Sequence, residues 1–322
     1  MIRARRIAAV LAAVLTVLSS AACGLDDPTV SSGADRPTTA ATVPVGTSSA
    51  PAKSSASASA KPTTTKAKPK QDCPYPDSGF DCDLQRRFKA AEAYVAKRPG
   101  TVGIVVRDRQ TGAVWRNEHA DEHVWTASTI KLAMTVNLLL RDRDGDITLT
   151  AGDKGLIERM LHSSDDEAAD SLWFKYAGSD HMAFNNAFPQ YGMKSVLPQR
   201  GFTKFYPYWG FQKCTPEDLD GLINYVLGKL PSDLRGYIVP KMRAVAANQQ
   251  WGVWGAGSAA QPGNKDGWSE EQGGWVMNSV GFVGPGERYT LAVMNSLKGE
   301  GGYDEGQATD TQVAALIFKG RF

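Results

Sequence analysis

Ser128 and Lys131 form the only Ser-x-x-Lys in the chain. A serine hydroxyl is a weak nucleophile until a base takes its proton, and lysine is a base only when neutral. Lys131 is the only charge between Ser128 and Arg141, in a run that continues Leu132, Ala133, Met134, Val136, Leu138, Leu139 and Leu140. A helix apolar on every face is a buried one. An unpaired ammonium is costly to bury, so it tends to lose its proton instead. Residues three apart share a helix face, which brings the amine within reach of the hydroxyl. Ser128 falls in the first turn, where free N–H groups and the helix dipole favour negative charge on a reacting oxygen. The same residues also fit a core helix with a snorkelling lysine and a capping serine, and this stretch alone leaves both readings open.

Two further polar clusters follow. Ser163-Ser164-Asp165-Asp166, continuing Glu167-Ala168-Ala169-Asp170, opens another helical pattern, and Lys265-Asp266-Gly267-Trp268 precedes a Gly-rich turn and a strand. Together and in this order the three resemble the signatures of the class A β-lactamase and penicillin-binding serine hydrolase family, Ser-x-x-Lys, Ser-Asp-Asn and Lys-Thr-Gly. The resemblance spans about Cys73 to Phe322. It implies an α+β fold, with an antiparallel five-stranded sheet flanked by helices and an all-α lobe. It also implies roles. Ser128 would be the nucleophile and Lys131 its base. Ser164 would pass a proton to the leaving group. Lys265 would supply positive charge between the serines and toward a substrate carboxylate. The backbone N–H groups of Ser128 and Trp268 would form the oxyanion hole, with Asp166, Asp266 and Gly267 lining the substrate site. Preorganised donors of that kind are worth about 3 kcal/mol each in comparable hydrolases. No cofactor or metal is implied.

Three departures from the family pattern matter. Asp166 stands where the family has asparagine, and Asp266 where it has threonine. At about 4 Å, two like charges repel by roughly 4 kcal/mol at an effective dielectric of 20. Asp266 is therefore expected to disfavour a substrate carboxylate and to favour a substrate that lacks one there or carries an amine or amide. Third, β-lactamases of this class carry a water-activating glutamate in the loop after the Ser-Asp-Asn helix. No glutamate lies between Glu167 and Glu217 here; the segment reads Leu197-Pro198-Gln199-Arg200-Gly201 and Phe205-Tyr206-Pro207-Tyr208-Trp209-Gly210. The reading is an envelope serine hydrolase that forms an acyl-enzyme at Ser128 on an amide or ester, a β-lactam or a cell-wall peptide, with slow or no β-lactam turnover. One rival is a true β-lactamase with an unrecognised deacylation base. The other is a catalytically silent envelope-binding lipoprotein, which the acidic substitutions favour and the retained Ser128, Lys131, Ser164 and Lys265 oppose.

The elements that must position these residues can be read coarsely. Asp83 to Lys97 is a helical pattern with Leu84, Phe88, Ala91 and Tyr94 on one face, ended by Pro99-Gly100. Strands are predicted over Thr101 to Arg107, Ala113 to Arg116, Trp275 to Val283 and Arg288 to Asn295. Between them the chain reads as mostly helical from Thr126 to Gln250, including a helix from Pro216 capped by Thr215. A last helix is predicted over Thr309 to Lys319. Helices on the faces of a sheet plus a separate helical lobe give an α+β class. Trp251, Trp254, Trp268 and Trp275 fit core packing or the wall of a groove.

The 322-residue chain has a formal net charge of +2, which gives no electrostatic footprint for nucleic acid. Arg3, Arg5 and Arg6, the apolar run Ile7 to Leu18 and Ser20-Ala21-Ala22 form a signal peptide over residues 1–22. Cys23 follows directly and resembles the lipidated cysteine of bacterial lipoproteins, although Ser20 stands where a large aliphatic residue is usual. Residues 23–72 are then a lipidated cysteine and a Ser/Thr/Ala/Pro/Lys linker too poor in apolar residues to fold. Fully extended, the linker reaches on the order of 160 Å. The hydrolase domain is residues 73–322, expected on the outer side of a membrane, lipid-anchored and monomeric. Export permits disulfides. Cys73 and Cys82, bracketing a short loop with Pro74, Pro76 and Gly79, are the preferred pair, which leaves Cys214 free.

Overall fold

The structure is a computed structural model that describes residues 73–201, 204–271 and 273–322. The leader, Cys23 and the linker lie outside the described residues. The elements in chain order are α1 (Cys82–Val95), β1 (Thr101–Asp108), β2 (Val114–Arg116), β3 (Val124–Trp125), α2 (Ile130–Asp144), α3 (Ala151–His162), α4 (Asp166–Tyr176), β4 (Leu197–Pro198), β5 (Gln212–Cys214), α5 (Pro216–Gly228), α6 (Ser232–Arg243), β6 (Gly263–Glu271), β7 (Gly274–Val283), β8 (Tyr289–Ser296) and α7 (Tyr303–Phe318). Five strands form one antiparallel sheet in the order β2-β1-β8-β7-β6.

Strand alternation gives this sheet two buried faces. Val105, Val276, Val280, Ala292 and Met294 face the helical lobe, packing with Ile130, Leu132, Met134 and Leu138 of α2. Val102, Ile104, Val106, Leu291 and Val293 face the other way, onto Leu84 and Phe88 of α1 and Val313, Ile317 and Phe318 of α7. The first ten residues of α2 lie inside: every residue from Ile130 to Leu139 is buried. Its end is set by Gly145, at φ +82°, whose N–H bonds the carbonyls of Arg141 and Asp142. Thr215 caps α5 in a reciprocal box with Asp218.

The sequence reading differs from the structure at three places. Lys265 to Trp268 are inside strand β6, not in the approach to a strand; Lys, Asp and Gly are poor strand formers, and pairing with the apolar β7 overrides their preference. The last helix starts at Tyr303, six residues before Thr309, with Asp304 and Glu305 in its first turn. The stretch read as mostly helical also contains β4 and β5, which with β3 just ahead of it form a small sheet in the order β3-β5-β4, built from strands two or three residues long. Cys73 and Cys82 are joined by a disulfide, and Cys214 is a buried free thiol.

Candidate active site

Ser128 lies in the 3-10 turn Ala127–Thr129 that runs into α2. The turn is clamped from several sides. Thr126 donates its N–H to Gln212 of β5 at 2.9 Å. The Thr129 hydroxyl donates back to the Thr126 carbonyl at 2.6 Å. Asn278 of β7 donates its amide to the carbonyls of Trp125 at 2.8 Å and Thr126 at 3.2 Å. The edge strand β6 presses on the same turn. A Cβ built on Gly267 would stand 2.6 Å from the nitrogens of Ser128 and Thr129, so only glycine allows this approach. Ala127 is held at φ +43° and Ser164 at φ +61°, a region costly for residues with side chains. Such strain clusters where surrounding structure over-determines a functional geometry.

Lys131 is fully buried. Its amine donates to the Ser164 carbonyl at 2.6 Å and pairs with the Asp166 carboxylate. It also lies 4.6 Å from the centre of the Trp209 ring, a cation–π contact. Burial pulls its pKa below the usual lysine value, and Asp166 opposes that pull. Among the described residues no hydrogen bond joins this amine to the Ser128 hydroxyl. Lys265, also buried, donates to the Ser164 hydroxyl at 2.8 Å and to the Asp266 carbonyl at 2.7 Å. Burial, and next the neighbouring Lys131 cation, bring its pKa down to about 7. The structure thus gathers Ser128, Lys131, Ser164, Asp166, Lys265 and Gly267 into one cluster. The Asp166 side chain is 73% exposed, so it faces solvent at the edge of that cluster.

Asp266 does not belong there. Lys265 and Gly267 share the sheet face turned to α2, so Asp266 points to the opposite face, opposite Ser279 of β7 and beside Gly252. Neither of its buried carboxyl oxygens makes a well-formed hydrogen bond, although Ser279, Asn264 and the Trp251 backbone lie close by. Burial pushes its pKa far up, and Ser279, Lys265 and Asn264 offset only part of this. The Asp310 carboxyl of α7 is buried near it and is pushed up for the same reason. A side chain behind the sheet cannot repel a substrate carboxylate in the cleft by direct contact, so the expected role of Asp266 fails on strand geometry. The Trp268 ring shares that rear face and packs edge-on against Trp251 and Tyr303; only its backbone belongs to the front.

Two residues of the site escaped the sequence reading. Asn278 is a polar residue in an otherwise apolar strand, and that contrast was the available signal. Trp209 lies in the segment noted for lacking glutamate. Its indole N–H and the Tyr208 hydroxyl both donate to one oxygen of Asp170, at 2.7 and 2.5 Å, which fixes the ring against Lys131. No carboxylate of that segment reaches Lys131.

The architecture is that of the class A β-lactamases. The structure superposes on the last common ancestor of Gram-negative bacteria (GNCA4) class A β-lactamase with a TM-score of 0.60 at 19% identity, covering 72% of this chain and 97% of that one. It superposes on a β-lactamase from Streptosporangium roseum with a TM-score of 0.59 at 18% identity over the same shares. Residues 84–152, which include Ser128 and Lys131, match the model of the "Beta-lactamase enzyme family". In sequence the chain is 26% identical over 263 residues to the "Putative lipoprotein LppW" of Mycobacterium tuberculosis and of Mycobacterium bovis, covering 78% of this chain and 79% of those proteins.

Proposed function

We propose that this protein is an exported, lipid-anchored serine hydrolase that forms an acyl-enzyme at Ser128 on an amide or ester, a β-lactam or a cell-wall peptide. The observation that carries the reading is the hydrogen-bonded Lys131–Ser164–Lys265 cluster beside a serine at the start of a buried helix. Two buried amines held around one serine are a costly arrangement that a passive scaffold does not need. In the reaction the Ser128 oxygen attacks the carbonyl as its proton passes to the cluster. The N–H groups of Ser128 and Trp268 receive the oxyanion, and Ser164 returns a proton to the leaving group.

The test is labelling with a neutral fluorophosphonate and with a tagged penicillin, followed by mapping of the modified residue. Ser128→Ala should abolish both labels while the protein stays folded; undiminished labelling of that variant ends the assignment. The silent-module reading has its own support, since Lys131 is held by Asp166, Ser164 and Trp209 and by no bond to Ser128. It predicts that neither probe labels the wild type.

A penicillin adduct should persist for minutes or longer in intact-mass spectra. The side of Lys131 facing the loop is covered by the Trp209 ring, and no carboxylate from residues 197–211 is there to activate water. Fast multiple turnover with no visible adduct would instead require another water activator. Asn278→Ala should slow labelling of Ser128 at least tenfold and cost about 0.5–1.5 kcal/mol of stability, because the Trp125 and Thr126 carbonyls ahead of the serine each lose one donor, while the Thr129 hydroxyl still holds Thr126. An unchanged rate would show that the turn holds itself.

The name of the mycobacterial relative supports the lipid anchor at Cys23. Cys23→Ala should move the protein from the membrane fraction to the soluble one. A wild type that is already soluble and cleaved after Ala22 removes the anchor.

A further inference from the structure

The two buried lysines are placed for different tasks. An ammonium has three N–H donors. At Lys131 the Ser164 carbonyl, the Asp166 carboxylate and the face of Trp209 together engage that capacity. Each of these favours the charged form, and the ion pair does so most. Losing a proton would forfeit the ion pair and the ring contact. Lys265 has no carboxylate in contact. It meets a hydroxyl, Ser164 Oγ, and a carbonyl, that of Asp266. The carboxyl of Asp266 is behind the sheet and is itself pushed toward its neutral form. Once neutral, Lys265 keeps two N–H groups and gains a lone pair, and the Ser164 hydroxyl bonded to it can turn its own hydrogen toward that pair.

We propose that Lys265, reached through the Ser164 hydroxyl, takes the proton from Ser128, and that Lys131 stays a fixed cation throughout. This rests on Ser128 being the nucleophile. As the Ser128 oxygen bonds to the acyl carbon, its proton goes to Ser164 Oγ, and the proton of Ser164 goes to the Lys265 lone pair. When the tetrahedral species collapses, the bond from carbon to the leaving nitrogen or oxygen breaks and its electrons stay with that atom. The atom takes a proton from Ser164, which recovers one from the Lys265 ammonium, so the cluster ends as it began. The two serine hydroxyls are not bonded to each other in the free protein; such contacts often tighten only when substrate is bound. Lys131, with its charge kept, holds Ser164 by the carbonyl and adds positive potential beside the oxyanion.

The charged groups that face Lys265 are Lys131 from α2, Asp166 from the start of α4, and Asp266 on its own strand. Its partner on β7 is Val280. The α6 helix packs against β6 with Ile238, Val239 and Met242 buried, while its cations turn elsewhere, Lys241 to Glu158, and Arg243 to Glu287. Burial and Lys131 therefore dominate the titration of Lys265, which falls near pH 7.

The test is the pH dependence of Ser128 labelling by a neutral fluorophosphonate. In the wild type the second-order rate should rise with pH with a midpoint near 7. Lys265→Arg, whose guanidinium cannot give up its proton, should label at least 100-fold more slowly and show no midpoint between pH 6 and 8. Ser164→Ala should lose as much with Lys265 in place, and serves if the arginine variant does not fold. Lys131→Arg should be slower overall yet keep the midpoint. A second readout is independent of catalysis: in protein carrying 13C-labelled lysine, one side-chain signal should titrate near pH 7 and be missing in Lys265→Arg. The inference is overturned if Lys265→Arg keeps the wild-type midpoint, or if the midpoint or the titrating signal disappears in Lys131→Arg instead. Absence of Ser128 labelling at every pH overturns the nucleophile and the relay together, whereas labelling whose midpoint follows Lys131 overturns the relay alone.

Discussion

Gly267→Ala is expected to abolish rapid labelling of Ser128 while leaving every side chain of the cluster in the chain. The added methyl would stand 2.6 Å from the nitrogens of Ser128 and Thr129 and 3.0 Å from the carbonyl oxygen of Thr126. All three are backbone atoms, so no side chain can swing aside. The turn itself is fixed by Asn278, by the Thr129 hydroxyl and by the left-handed Ala127. Relief must come from β6, and Lys265 lies on that strand two residues earlier, with its amine on Ser164. A shift of the strand therefore moves the Ser128 N–H, the Trp268 backbone and the Lys265 amine relative to one another. Misplacement by about 1 Å can cost 100-fold in rate. Forcing a methylene-sized group into a packed site typically costs about 1–3 kcal/mol of stability. An opposing term exists, since replacing glycine by alanine stabilises by about 0.4–1 kcal/mol through the unfolded chain where the native geometry accepts it. Here the contact is backbone on backbone, and the steric term wins. The measurements are the labelling rate and the thermal midpoint of the variant. A variant that labels like the wild type would show that β6 does not press on the serine.

The Ser128–Lys131 side of this cluster was legible in the sequence because its signals are local. Ser128 and Lys131 are three residues apart, and the ten residues from Ile130 are buried in the structure as their mostly apolar run suggests. The sheet was legible where its strands are apolar, in β1, β7 and β8. The missing parts are those whose meaning depends on pairing. In β6, Lys265 and Asp266 are adjacent in sequence and sit on opposite faces of the sheet, so one residue of register decides which of them sees the cleft. Nothing in Lys-Asp-Gly-Trp sets that register; the apolar neighbour β7 does. Trp209 is 78 residues from Lys131, and no periodic pattern links a loop aromatic to a helix amine. Sequence alone showed that a carboxylate was missing from the loop, and the fold shows what covers Lys131 in that region. The small β3-β5-β4 sheet has strands too short to show alternation, yet it holds Thr126 through Gln212.

The largest effect on stability is expected from Asp266→Asn, and it should appear only away from acid. The folded-state pKa of Asp266 lies well above its unfolded value because burial disfavours the carboxylate. From pH 3.8 up to that raised value, the native protein holds a proton that the unfolded chain has released. Native protons then outnumber unfolded ones, and stability falls as pH rises through the window. Asp310 adds a contribution of the same sign. Lys265 works in the opposite direction: its pKa is lowered, so between about 7 and 10.5 the unfolded chain binds the extra proton and stability rises with pH. Asp266→Asn removes only the first contribution. The variant should come closest to the wild type at pH 4, at the foot of that window, where the unfolded aspartate still keeps part of its proton. It should be more stable at pH 8, by about 1.4 kcal/mol for each pH unit over which the native aspartate holds a proton the unfolded chain has released, because asparagine has no such proton to hold. Urea unfolding of both proteins at pH 4, 6 and 8 measures this directly. A charge-selection role in the cleft, as the sequence suggests for this position, predicts something else: equal stability at all three pH values, with a changed ratio of labelling rates between carboxylate-bearing and neutral probes. A side chain that faces Ser279 and Gly252 behind the sheet should leave that ratio where it is, and a shifted ratio with flat stability would return Asp266 to the cleft.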